Sequence, residues 1–406
     1  LNPPQIDELE QGGSVEIEAL ANEDIRVPYA AIMAIYETDH SISMVHSYAR
    51  SYSTWEIEEG RTISEGHEGC WTLRDTLDVY SFAVMHNGAE SQPAQTVNLM
   101  AKNYLGESIH FKFNINKLSA FETFVVKPVD LIPGLVCFLK GKPGSCTIDF
   151  SLTGSFARLL VGWRSISTNQ LQVTHSNFNY AIHETDLIEP SDRQLAYMRV
   201  PITPFDSNAV VYPDYSPGEY RIRAYCEKNV LRNSVQLPST RSAFVASTLE
   251  FCRVDGALPT RIVTAVERVT SPNENVVPCE CSLGILHSKR PPKHFHWGVC
   301  HTLFPSKLLL VAYPEIYGKP DSACSLVIKC IQVNGQILEK LILWHDVEKE
   351  NQASLSLNDL FPVFDSIDPA DPSAEFCYLT VYCSWGGFVM YTSILKIDSW
   401  TLEHTF

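Results

Sequence analysis

The chain has 406 residues, enough for two or three domains that each bury a core. Hydrophobic residues make up 45% and charged residues 19%, which describes a globular protein and excludes intrinsic disorder. The net charge of −16 argues against nucleic acid as a partner, because phosphate binding needs Lys and Arg. No apolar run reaches the roughly 18 residues of a membrane span, so a soluble chain is expected.

Along the chain, residues 1–68 come first, with 14 acidic residues against Arg26, Arg50 and Arg61. Short β-branched and aromatic runs bounded by turn residues then dominate: SVEIEAL (14–20), TLDVYSFAVMH (76–86), SIHFKFNI (108–115), FETFVVKP (121–128), TIDFSL (147–152), FARLLVGW (156–163) and QLQVTH (170–175). Residues 191–218, dense in Pro, Asp and Ser, read as a linker. Beyond it, EYRIRAYC (219–226), TRIVTAVERV (260–269), SLVIKCIQV (325–333), ILEKLILWH (337–345) and FVMYTSILKI (388–397) continue the pattern. Asn334-Gly335 predicts a two-residue hairpin turn of type I′, and Gly386-Gly387 reads the same way. The expected fold is mainly β: two tandem, duplicated β-sandwich or jelly-roll-like halves, residues 1–190 and 219–406.

Ordered offsets support the duplication. KPVDLIPGL (127–135), Cys146 and Phe156 are matched by SLNDLFPVF (356–364), Cys377 and Phe388, at offsets of 229 to 232. Upstream, Cys70 before SFAVMH (81–86) is aligned with Cys281 before HWGVCH (296–301).

Twelve cysteines without a CxxC, many within apolar alternation, read as buried free thiols. With no Asn-x-Ser/Thr sequon, they point to a reducing, cytoplasmic compartment. The start at Leu1 shows no signal-like apolar stretch.

The stretch PPKHFHWGVCHTLF (291–304) carries the sharpest chemistry. On a strand, His294, His296 and Cys300 share one face. Cys279 and Cys281 are cofacial too. A hairpin around SKRPPK (288–293) would bring two imidazoles and two thiolates together, a tetrahedral set that suits zinc. The string His294-Phe295-His296-Trp297-Gly298 resembles the metal-bearing strand of α-type carbonic anhydrases over five residues. No matching third-histidine strand accompanies it. A second cluster, VTHSNFNYAIHETD (173–186), offers His175, His183 and Glu184 as acid–base candidates or as strand-end turn chemistry. Arg61, Glu68, Arg74 and Asp75 read as surface ion pairs around a core strand. GxSxG, HExxH, GxGxxG and the phosphate-loop pattern are absent.

These features imply a non-catalytic recognition or assembly protein, binding a protein or glycan partner or copies of itself. Trp55, Trp163, Trp297 and Trp385 near strand ends are candidate stacking platforms. The alternatives are an enzyme with a metal or acid–base site on the β-scaffold, and a viral coat subunit.

Overall fold

A computed structural model of the protein describes residues 22, 31–46, 50–51, 54–60, 63–153, 155–156, 159–176, 195–212, 219–226, 230–236, 240–256, 258, 262–269, 279–284, 286–287, 291–366, 375–397 and 399–405. It is mainly β, as the alternation predicts, and helices such as Pro128–Leu131 and Leu357–Leu360 are single turns.

The described chain opens with a hairpin of β1 (Ala34–Glu37) and β2 (Ile42–Val45), followed by the short β3 (Arg50–Ser51). A first unit follows: β4 (Ile63–Leu73), β5 (Val79–His86), β6 (Gln95–Lys102), β7 (Ser108–Ile115), β8 (Thr123–Val126), β9 (Gly144–Thr153), the short β10 (Ser155–Phe156) that pairs with β3, β11 (Leu159–Ser165) and β12 (Leu171–His175). Its sheets run β4-β9-β6-β7 and β8-β5-β11-β12.

The second unit comprises β13 (Leu195–Arg199), β14 (Ser207–Tyr212), β15 (Tyr220–Cys226), β16 (Val230–Gln236), β17 (Ser242–Phe244), β18 (Thr248–Arg253), β19 (Val263–Arg268), β20 (Glu280–Gly284) and the two-residue β21 (Leu286–His287). Its sheets run β21-β13-β18-β15-β16 and β17-β14-β19-β20. The third unit comprises β22 (Phe295–His301), β23 (Ser306–Ala312), β24 (Ser325–Gln332), β25 (Ile337–Leu343), β26 (Gln352–Ser356), β27 (Phe376–Cys383), β28 (Phe388–Lys396) and β29 (Ser399–Thr405). Its sheets run β22-β27-β24-β25 and β26-β23-β28-β29. Leaving aside β10 and β21, the strands of every unit, numbered by place, are ordered 1-6-3-4 in one sheet and 5-2-7-8 in the other.

Side-chain patterning explains how these sheets are arranged. The 1-6-3-4 sheets alternate, with one face inward: on β24, Leu326, Ile328 and Cys330 are buried, and on β25 every second residue from Ile337 to Leu343 is exposed. The 5-2-7-8 sheets carry continuous, mostly apolar buried runs that cover both faces. Leu308 to Ala312 on β23, Phe388 to Ile394 on β28 and Leu159 to Trp163 on β11 are buried without interruption. Leu308, Leu310 and Met390 face the third unit's own core. Leu309, Val311 and Tyr391 point the other way, into a core shared with Val211, Leu249 and Phe251 of the second unit. β2 is wedged between the first and third units: Val45 packs with Phe82 and Leu160, while Ile42 and Met44 pack with Ile394. Side-chain hydroxyls satisfy backbone groups on both sides of the wedge: the Ile42 and Met44 amides donate to the Ser399 and Thr401 hydroxyls at 3.2 and 3.1 Å, and the Ser43 hydroxyl donates to the Val173 carbonyl of β12 at 2.8 Å.

Five expectations are corrected. The repetition is threefold rather than twofold. The segment read as a linker contains β13 and β14, the first two strands of the second unit, whose short runs LAYMR and SNAVVY are masked in the sequence by Pro-rich loops. The downstream alignment holds, since Cys146 and Cys377 both lie on sixth strands, but the upstream one slips: HWGVCH is a first strand, while SFAVMH is a second strand. Gly386-Gly387 is a crossover between sheets, because β27 and β28 belong to different ones. Asn334-Gly335 does close a hairpin, between Gln332 and Gln336, with Gly335 left-handed at φ 85°; the loop has three residues, which displaces the two-residue turn.

Candidate functional site at the junction of the three units

The residues proposed as a zinc set do not converge. β20 pairs with β19 in the second unit and β22 pairs with β27 in the third, so no hairpin joins them. His296 and Cys300 do share an inward face, as parity predicts, but His294 precedes the strand and is exposed. The His294 Nδ1–H donates to the Cys383 carbonyl at 2.9 Å, and His296 Nε2 lies 3.1 Å from the Lys293 carbonyl with its ring against Phe388. Cys300 sits opposite Cys377 in the third core, and burial raises its thiol pKa. Cys279 is pushed up to about 12 by burial. Protonated thiols in apolar cores are poor metal ligands.

Of the acid–base candidates, His183 and Glu184 lie outside the described residues. His175 ends β12 and is buried, in a centre that the sequence reading did not assemble. The eighth strands β12, β20 and β29 come together there, with the end of β2 between β12 and β29. His46, His175 and His404 form a triangle of rings, with centroids 4.8, 4.8 and 5.4 Å apart. Glu403, fully buried, accepts a hydrogen bond from His46 Nδ1–H at 2.6 Å, and the same oxygen lies 3.4 Å from His404 Nδ1. Burial raises the Glu403 pKa, and the neighbouring His46 opposes that rise. The second unit contributes Cys281, its Sγ 3.7 Å from His404 Nδ1, and Ser282, whose amide donates to Thr174 Oγ1 at 3.1 Å. Two residues of the earlier candidate sets, His175 and Cys281, thus meet here; His46, Glu403 and His404 were missed. A signal existed for His404. It lies 229 residues after His175, the same offset as between Asp130 and Asp359.

A second buried polar cluster joins the first and second units. Arg74 and Arg241 both pair with Glu267 and Glu280; Arg241 Nη2 is 2.8 Å from Glu267 and 3.5 Å from Glu280. Thr72 Oγ1 donates to Glu280 at 2.8 Å and accepts from Arg241 Nε at 2.8 Å, and the Tyr212 hydroxyl donates to the other Glu280 oxygen. Arg74 also stacks on Trp163, 4.9 Å from the ring centroid. Arg74 is therefore an interior residue, unlike the surface pair expected; the side chains of Arg61 and Glu68 lie outside the described set. Trp163 is core, Trp385 packs against the third core and Trp297 is stacked on Tyr378 at 5.6 Å, so these three are engaged within the fold.

His301, at the end of β22, carries a pH prediction. Its Nδ1 accepts the amides of Leu303 and Phe304 at 3.0 and 3.2 Å, so the folded state needs that nitrogen unprotonated. Burial lowers its pKa to about 4, against opposing influence from Glu37, with Lys396 acting in the same direction as burial. A histidine with a depressed folded pKa contributes stability above the unfolded value of about 6.5 and loses it as pH falls towards 4. The urea midpoint is expected to fall over that interval, with a slope of up to about 1.4 kcal/mol per pH unit from this residue. In His301→Asn that share of the slope disappears. Parallel pH profiles for the two proteins would contradict the assignment.

No family model and no curated protein matches the chain. Among solved structures, the crystal structure of a tetra-tandem repeat in the extending region of a large adhesion protein is similar over 82% of this chain and 73% of that chain, at 9% identity and a TM-score of 0.12. Among the described residues, no helix is long and apolar enough to cross a membrane.

Proposed function

We propose that the protein is a non-catalytic assembly subunit of the coat type, whose partner is further copies of itself. The observation that carries this reading is the outer face of the third unit. Phe295, Tyr382, Val327 and Leu341 stand in one cross-strand row, and Val299, Tyr378, Ile331 and Ile337 in another, with the Lys329–Glu339 pair between them. Leu341 is 66% exposed and Tyr382 52%. The equivalent strand of the first unit presents Ser108, His110, Lys112 and Asn114 outward. An apolar sheet face of this breadth on one unit marks an association surface.

Topology supports the same reading. A jelly roll orders its eight strands 1-8-3-6 and 2-7-4-5. Moving each strand here on by one place turns 1-6-3-4 and 5-2-7-8 into that order, with the eighth strand in the seat of the first. Tandem sandwiches of this kind suit a shell, and the engaged tryptophans favour a protein partner over a glycan. Burial of His175 speaks against acid–base catalysis. The 11 described cysteines are all free, which supports a reducing compartment.

Light scattering and negative-stain microscopy of the full chain are expected to show large closed particles. Leu341→Glu, on an exposed position, is expected to leave the fold intact by circular dichroism and to reduce particle yield at least tenfold. A chain that remains monomeric at high concentration across salt and pH, or particles unaffected by Leu341→Glu, would overturn the reading.

A further inference from the structure

We propose that the centre where the three units meet is a structural site for a divalent transition-metal ion of the zinc class, held by His46, His175, His404 and Glu403. One ligand-capable atom from each of the four lies within 4.8 Å of every other. A tetrahedral zinc with bonds of about 2.0–2.1 Å holds its ligands roughly 3.3 Å apart. The cluster therefore closes on an ion through side-chain torsions of about an ångström, with the strands in place. Three imidazoles and one carboxylate suit zinc and its neighbours. Calcium and magnesium ask for oxygen ligands.

Two details point to an ion. Glu403 is fully buried, one of its oxygens accepts from His46, and the other, Oε2, has no hydrogen-bond partner. An isolated carboxylate oxygen in a dry interior is costly, and a cation is the partner that best repays it. His175 Nδ1–H donates to the Ser176 carbonyl at 3.0 Å, which fixes the tautomer and leaves the Nε2 lone pair as the ligand atom. Metal-binding histidines are oriented in this way by a carbonyl on the opposite nitrogen. Cys281 stands at the rim, its Sγ 3.7 Å from His404 Nδ1, outside the four-residue set.

The placement gives the ion a task. His46 follows the wedged strand β2, His175 ends the first unit, and Glu403 and His404 lie on the last strand of the third. A single ion would cross-link positions more than 350 residues apart in sequence, where side-chain hydrogen bonds otherwise hold β2. The effect is a clamp on the N-terminal segment and the outer units, and it stands whether or not the protein forms particles.

The test uses the full chain, stripped of metal with dipicolinate and titrated with cobalt(II) or zinc(II) alone. The expected result is one cobalt per chain with the intense visible absorption of a four-coordinate site, displaced by zinc, and a higher urea midpoint with zinc. His175→Asn and His404→Asn should lose both the band and the stabilisation. Glu403→Gln should weaken zinc binding by about 10-fold or more. Cys281→Ser should leave the spectrum and stoichiometry unchanged. Sub-stoichiometric cobalt, a weak six-coordinate spectrum, or the wild-type band persisting in both histidine variants would each overturn the proposal. The wild-type titration decides the matter even if a variant folds poorly.

Discussion

Glu280→Gln is expected to lower the stability of the folded chain by about 3–5 kcal/mol, read as a shift of the urea midpoint at constant m. The substitution keeps the shape of the side chain and removes one of two carboxylates from a dry cluster that holds two guanidinium groups. Burial already depresses the Arg74 pKa to about 10, with the Arg241 charge adding to it and Glu280 the main group opposing it. Without Glu280, Arg74 and Arg241 share only Glu267. The Tyr212 and Thr72 hydroxyls lose their charged acceptor as well. Because the penalty comes from an unbalanced buried charge, a double variant, Glu280→Gln with Arg241→Met, should recover at least half of the loss. A loss below about 1 kcal/mol would mean that water screens the cluster, and no recovery in the double variant would mean that charge is not the cause.

Trp400→Ala is expected to cost about 3–5 kcal/mol, the range for deleting a buried large aromatic side chain. Trp400 is fully buried in the core shared by the second and third units, its ring edge-on to Phe205 at 6.0 Å. The location makes a further outcome specific. Hydrogen-exchange protection should fall together in β14 of the second unit and β28 of the third, since both line that core. Loosening confined to β29 would show that the two units do not depend on each other through this residue.

Much of the outer sheets could be read from the chain as short β-branched and aromatic runs bounded by turn residues. ILEKLIL and SLVIKCIQ alternate in burial though not in polarity, and their pairing through Asn334-Gly335 follows from local turn chemistry. The inner sheets were legible as strands but not as doubly buried ones. LLLVA is a continuous apolar run and FVMYTSI is nearly so, broken only by Thr392 and Ser393, and a run without alternation does not say what covers its second face. The second unit was lost for a related reason: β13 and β14 are five and six residues long, and the loops around them dominate the composition. The His46–His175–Glu403–His404 centre depends on three strand ends that are distant in sequence, so local spacing cannot reveal it. His294 and His296 drew attention through their spacing, yet their partners in space are Tyr382 and Phe388.

Because the inner sheets need a neighbour on each side, the protein is not a string of interchangeable cassettes. Any one unit expressed by itself would present a wall such as Leu309, Val311, Val389 and Tyr391 to water. Fusion partners, truncations and grafted loops are therefore better tolerated at the rims of the alternating sheets than at the borders between units.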